Sequence, residues 1–142
     1  MMKKLILIGK SGSGKTTLTR RLKNLPDEYH KTQYIDYGDF IIDTPGEYSE
    51  NASLASALAL YSYEADVVGL VIAADEWFSL FPPNITCLVN RDVVGIITKT
   101  DKTEANPNRV KAWLEESGCK KIFEISSKTG DGIDDLLKYL GK

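Results

Sequence analysis

Eight consecutive residues carry the clearest chemistry in this chain: Gly9, Lys10, Ser11, Gly12, Ser13, Gly14, Lys15 and Thr16. They match the pattern G-x-x-x-x-G-K-S/T in full. Such a loop turns its backbone N–H groups inward around phosphate oxygens, along a path that a Cβ would block at its glycines. A helix starting at its end adds unpaired N–H groups and a positive dipole. The motif assigns Lys15 to the β- and γ-phosphates and the Thr16 hydroxyl to Mg²⁺, with Thr17 the next residue in the cradle. A plain glycine-rich turn before a helix is the rival reading. It loses because a buried strand precedes the motif and a helix is expected to follow it.

Two further groups fit a triphosphate site. Asp43-Thr44-Pro45-Gly46 ends an expected strand, where open sheets bind their ligands. Asp43 is assigned to the Mg²⁺ shell through water, and the Gly46 N–H to the γ-phosphate. Read alone, Pro-Gly is also an ordinary turn dipeptide. Thr32 lies in a polar loop that can close over Mg²⁺ when a γ-phosphate is present. Lys15, Thr32, Gly46 and Glu47 are the candidate catalytic set, and Thr16, Thr32 and Asp43 the candidate metal ligands.

The base-reading candidates are Thr98, Lys99 and Asp101, together with Ser126, Ser127 and Lys128. Guanine presents N1–H and a 2-amino group side by side, and one in-plane carboxylate, Asp101, accepts from both. Adenine offers no such donor pair. The Lys99 stem can lie along the ring face, and N–H groups of residues 126–128 can reach the 6-oxo group. Taken singly, both groups read equally well as charged or polar loops. Their order behind the phosphate loop decides for guanine.

The elements that must position these residues follow from the apolar pattern. Strands are expected at 3–9, 66–74, 93–98 and 122–125, with continuous rather than alternating apolar runs, as for a sheet covered on both faces. Residues 33–37 and 40–43 read as two short strands joined at Gly38-Asp39 in an antiparallel hairpin. Helices are expected at 15–25, stopped by Pro26-Asp27, and at 52–63, 106–117 and 133–140. Gly118 caps the third of these, and residues 77–83 form an aromatic loop. The alternation predicts an α/β fold of three layers. It has a mostly parallel six-stranded sheet, one antiparallel edge strand, and helices on both faces.

Length and composition set the frame: 142 residues suit one domain, 1–142, with one core. Hydrophobic residues at 42% and charged residues at 27% are ordinary for a soluble globular chain. A formal net charge of -2 argues against nucleic acid as a partner. Cys87, Cys119 and a single histidine, His30, make no zinc pattern. The apolar run at 5–8 is too short for a signal peptide, and no segment is long enough to span a bilayer, so a cytoplasmic location is expected.

The order of these motifs resembles that of the small Ras-like GTPases of the P-loop class, over essentially the whole chain. The resemblance is closer to the EutP/PduV family of ethanolamine- and propanediol-utilisation proteins. It rests on residues 4–17, Tyr29-His30-Lys31-Thr32-Gln33, Ile42 to Tyr48, Phe81-Pro82-Pro83 and Gly95 to Lys99. It implies a Ras-like fold, GTP or GDP with Mg²⁺, and a role in microcompartment-associated metabolism with an activating or assembly protein as partner. Two residues depart from the GTPase pattern. Thr98 stands where asparagine is usual, which loosens the expected contact to the phosphate loop and leaves ATP as an alternative nucleotide. Glu47 stands where a water-orienting glutamine is usual, which implies slow unaided hydrolysis. Two other functions stay open: a small ATP-dependent phosphotransferase, and an assembly factor that binds nucleotide with negligible hydrolysis.

Overall fold

The computed structural model describes residues 3–9, 14–27, 41–42, 65–79, 81 and 83–141, with residues 16, 23–27, 41–42 and 88 described in backbone only. The chain order is β1 (Leu5–Ile8), α1 (Lys15–Asp27), β2 (Ile41–Ile42), β3 (Val67–Ala73) and a 3₁₀ turn (Ile85–Leu88). It continues with β4 (Asp92–Thr98), α2 (Pro107–Ser117), β5 (Lys121–Glu124) and α3 (Ile133–Tyr139).

The described strands form one sheet in the order β2-β1-β3-β4-β5, and every pairing is parallel. Six strands were expected and five are described. The would-be antiparallel strand, 33–37, lies outside the described residues. So do the helix expected at 52–63 and the loops on either side of it. Of the expected strand 40–43, Ile41 and Ile42 pair in parallel with Leu5 and Ile6.

Burial follows the apolar runs. Leu5 to Ile8 and Val67 to Ala73 are buried throughout. One face packs Leu5, Leu7, Val67, Val71, Val94 and Ile96 against Leu18 and Leu22 of α1 and Ile133, Leu136 and Leu137 of α3. The other packs Ile6, Ile8, Val68, Leu70, Ile72 and Ile97 against Val110 and Leu114 of α2 and against Phe81 and Ile85. Strands covered on both faces cannot alternate apolar with polar, which explains their uniform composition. Gly69 and Gly95 leave room for this packing. A Cβ on Gly95 would stand 2.8 Å from Leu114 Cδ1, and one on Gly69 2.9 Å from Ile96 Cδ1.

The helix ends are set by local chemistry. Asn106 caps α2, its side chain accepting from the Arg109 N–H, with Pro107 in the first turn. Gly118 closes α2 at φ 109°, a left-handed conformation that favours glycine. Helix α1 runs two residues past its expected end, through Pro26 to Asp27. Proline's fixed φ is itself helical, so the last turn accommodates it at the loss of one hydrogen bond.

Candidate nucleotide-binding site

Because β1, β4 and β5 are parallel, their C-terminal ends meet at one edge of the sheet, the usual ligand edge of such folds. The phosphate-loop segment follows β1, residues 98–101 follow β4, and residues 126–128 follow β5. The last two are tied by backbone bonds. The Ile125 N–H donates to the Ile97 carbonyl at 2.7 Å, and the Thr100 N–H to the Ile125 carbonyl at 3.4 Å.

Here the chain forms a cleft of about 210 Å³. Gly14 and Thr17 line it from the phosphate-loop side, Thr98, Lys99, Asp101 and Lys102 from the loop after β4, and Ser127 and Lys128 from the loop after β5. Three motifs that are far apart in sequence therefore share one wall.

On the phosphate side, Gly9 and residues 14–17 are described, and Lys10, Ser11, Gly12 and Ser13 lie outside the described residues. Gly14 has φ +100°, and a Cβ there would stand 3.1 Å from Thr98 Oγ1 and 3.3 Å from Thr98 Cβ. A ligand-facing loop that a Cβ would crowd fits a phosphate cradle. The Lys15 ammonium donates to the Gly9 carbonyl, which folds it back over the loop. The Gly14 carbonyl accepts from the Leu18 N–H at 2.9 Å, so the helix starts directly from the loop.

On the base side, the Ser126 hydroxyl donates to Asp101 Oδ1 at 2.7 Å. Ser126 is 1% exposed, and its Oγ accepts from the Thr129 N–H, so its rotamer is fixed from behind. The Ser126 hydroxyl, then Asp101's own N–H, then the Lys128 and Lys102 charges hold this carboxyl below its ordinary value. Asp101 is exposed and stays an ionised acceptor aimed from a fixed support. Lys99 adopts φ 59°, a left-handed conformation uncommon outside glycine, and its carbonyl accepts from the Lys102 N–H at 3.1 Å.

Two local contacts bear on Ser126 and Thr98. The Ser126 N–H donates to the Asp131 carbonyl at 3.0 Å, because the 126–131 turn closes on itself. The Ser126 hydroxyl is turned to Asp101, and Ser127 and Lys128 follow it along the cleft wall. Thr98 is 2% exposed and lies against Gly14.

Lys102 is a cleft residue that the sequence reading missed. Its signal was its place three residues after Lys99, where a turn brings it back to the same side. Lys102 Nζ is 3.6 Å from Asp75 Oδ2, beyond the end of β3. Thr32, Asp43, Gly46 and Glu47 lie outside the described residues, and Thr16 is described in backbone only. Among the described residues, no group of three or more His, Cys, Asp or Glu side chains gathers as a metal site. Nor is any described helix long and apolar enough to cross a membrane.

Comparison with known proteins agrees with this geometry. The family described as "Ethanolamine utilisation - propanediol utilisation" (PduV-EutP) matches residues 2–142. The chain is 42% identical over 142 residues to the propanediol utilization protein PduV of Citrobacter freundii, covering 98% of this chain and 93% of that one. It is 30% identical to the probable acetate kinase EutP of Escherichia coli (strain K12), covering 98% and 89%. In three dimensions it is similar to the apo form of translation elongation factor SelB from Methanococcus maripaludis, at a TM-score of 0.62 and 21% identity, covering 96% of this chain and 32% of that one. That likeness bears on the fold alone.

Proposed function

This chain belongs to the PduV-EutP family of ethanolamine and propanediol utilisation, and from that premise we propose that it is a guanine-nucleotide-binding protein and a slow, Mg²⁺-dependent GTPase. The observation that carries the reading is the cleft that unites Gly14, Lys99 and an Asp101 carboxylate held by Ser126. A fixed, ionised carboxylate at that position accepts from the two neighbouring N–H donors of guanine, and adenine offers no such donor pair. Lys15 supplies the phosphate charge. Thr16, Thr32 and Asp43 are the residues that would hold Mg²⁺, which offsets charge on the phosphates when bound. In hydrolysis, the water oxygen bonds to the γ-phosphorus, the bond from the γ-phosphorus to the β–γ bridging oxygen breaks, and GDP and phosphate leave.

Glu47 sets the rate in this reading. A carboxylate can accept from the attacking water but cannot donate to the transition state, and its charge opposes the γ-phosphoryl oxygens. Intrinsic turnover is expected on the order of 10⁻⁴ s⁻¹, with a partner protein supplying about 10³–10⁵-fold. We place the protein in the cytoplasm as one domain, beside a bacterial microcompartment whose surface provides that partner.

A second reading is favoured by one observation, the name of the EutP relatives, which describes an acetate kinase. There the same loop would pass the γ-phosphoryl group of ATP to a carboxylate oxygen. Competition of GTP, GDP, ATP and ADP against labelled GDP separates the two. A parallel assay traps acyl phosphate with hydroxylamine in the presence of ATP and acetate. Guanine preference with phosphate release independent of acetate supports the GTPase; equal ATP affinity with acetyl phosphate formation supports the kinase. Single-turnover hydrolysis in wild type and Glu47→Gln then tests the rate argument. A wild-type rate of about 1 s⁻¹ with no partner, far above the order expected for an unaided site, would refute it.

A further inference from the structure

Strand β5 closes the described sheet on the side away from β2, and among the described residues it pairs only with β4. The Ile125 N–H donates inward to the Ile97 carbonyl. The Glu124 carbonyl, on the other side of the same planar peptide, therefore points outward. By the alternation of a strand, Ile122 turns both its N–H and its carbonyl outward as well. A groove of about 510 Å³ runs along this outer edge, lined by Lys121 to Glu124 and, from the α3 side, by Gly132, Asp135, Lys138 and Tyr139. Lys120, Lys121 and Glu124 are exposed and Ile122 is half-buried. The chain itself comes up to the edge at Gly132, where a Cβ would collide with the Glu124 carbonyl.

The side chains of this edge carry a pattern. Phe123 belongs to the α1 and α3 face of the sheet, and Ile122 packs on the α2 face. The Phe123 ring meets Tyr139 edge-on at 5.6 Å, and Lys121 Nζ lies 5.6 Å from its centroid. From residue 120 to 124 the run is Lys-Lys-Ile-Phe-Glu, and it complements its own reverse. Laid antiparallel about Ile122, Lys120 opposes Glu124 of a second copy, Lys121 opposes Phe123, and Ile122 opposes Ile122. Opposed residues then lie on the same face, and the two Ile122 residues exchange N–H···O bonds. Opposite charges and an apolar pair across such a ladder are favourable. Moving the axis one residue back sets Lys121 against Lys121, and one residue forward sets Ile122 against Glu124.

We infer that the outer edge of β5 is a self-docking surface: a second copy of this chain adds to it antiparallel, across a two-fold axis at Ile122, and joins the two sheets into one. A two-fold contact requires one patch that is complementary to itself, which the run 120–124 supplies. The charges along the groove favour this occupant. Lysine and glutamate stand at opposite ends of the run, and Asp135 and Lys138 add one charge of each sign. A ligand of a single charge sign meets repulsion at one end, whereas a reversed copy meets attraction at both. Outward N–H and carbonyl groups on an edge strand are a ready template for such pairing.

The test is sedimentation equilibrium of the full chain from roughly 10⁻⁶ to 10⁻³ M, the span of weak to moderate association, where a monomer–dimer equilibrium is expected. Ile122→Pro removes the outward N–H and leaves the bonds to β4, so it should abolish the dimer. Lys120→Glu and Glu124→Lys each turn both end pairs into like charges. Each alone should weaken the dimer about tenfold. Mixed in equal amounts, these two variants should associate again, because every glutamate of one then faces a lysine of the other. Thermal melts of each variant confirm a folded chain, and the charge variants carry the test if Ile122→Pro does not fold. The proposal is overturned by a wild type that stays monomeric over the whole range. It is equally overturned by charge variants that dimerise as wild type does, or by a mixture that associates no better than its components.

Discussion

Replacing Gly14 by alanine tests whether the phosphate loop and the base loop are packed as one unit. Two costs arise. At φ +100° a side-chain-bearing residue is strained, for about 1–3 kcal/mol. The new methyl would also stand 3.1 Å from Thr98 Oγ1 and 3.3 Å from Thr98 Cβ, closer than comfortable van der Waals contact. Thr98 cannot retreat freely, because it is 2% exposed and its carbonyl is bonded to the Ala74 N–H. Mild overpacking of this kind adds roughly 1 kcal/mol. The total is about 2–4 kcal/mol, and at roughly 3–5 °C per kcal/mol for a chain of this size the melting temperature should fall by about 6–20 °C. GDP affinity should fall with it, since Gly14 lines the cleft. A double-mutant cycle isolates the contact. In a Thr98→Ala background Oγ1 and Cγ2 are gone, and Gly14→Ala should cost about 0.5–1 kcal/mol less. Urea unfolding and GDP titration of the four proteins provide the numbers. A Gly14→Ala protein as stable as its parent would refute the strain argument, and equal losses in both backgrounds would refute the contact.

Three other outcomes are expected. Lys15→Ala should leave a folded protein whose triphosphate affinity drops sharply in equilibrium dialysis, because the ammonium that the motif assigns to the β- and γ-phosphates is removed. Asp101→Asn should shift preference from guanosine to xanthosine nucleotides in competition assays, the amide offering a donor to the 2-oxo group of xanthine. In the wild type, the Asp101 carboxyl is held below its ordinary value, so the acceptor persists above it; guanine affinity should hold at neutral and mildly acid pH and fall only as pH drops through that lowered value. Cys119 is 4% exposed and burial pushes its thiol up to about 12, whereas Cys87 is exposed. A native thiol titration at neutral pH should therefore find one fast-reacting cysteine, lost in Cys87→Ser, and a second only on unfolding.

What could be read from the sequence was local. Asn106-Pro107 and Gly118 bracket α2 because a cap side chain, a fixed φ and a left-handed terminus act within one turn of their own position. The uninterrupted apolar runs at β3 and β4 betray burial on both faces for the same reason. The residues missed depend on partners distant in sequence. Lys102 enters the cleft held by Asp75, and Arg109 is flanked by Trp77. The direction of the Ser126 hydroxyl depends on Asp101, 25 residues before it. Neither spacing nor propensity encodes such pairings. The short 3₁₀ turn at Ile85–Leu88 also escaped, since its entry residue Asn84 has φ 59° with no side-chain cap to announce it.

The parallel sheet converts these local signals into one site. A motif at the end of a strand acquires its partners from whichever strands lie beside that strand, not from its neighbours in sequence. With β4 between β3 and β5, the loop carrying Asp101 is bonded toward Ile125 on one side and toward Ala74 and Asp75 on the other. The first side delivers Ser126 to the carboxylate. The second carries Lys102 toward Asp75, two residues before Trp77 and one before Glu76, whose carbonyl holds Arg109. The base-reading loop and the Trp77-Arg109 contact therefore share a short run of backbone after β3.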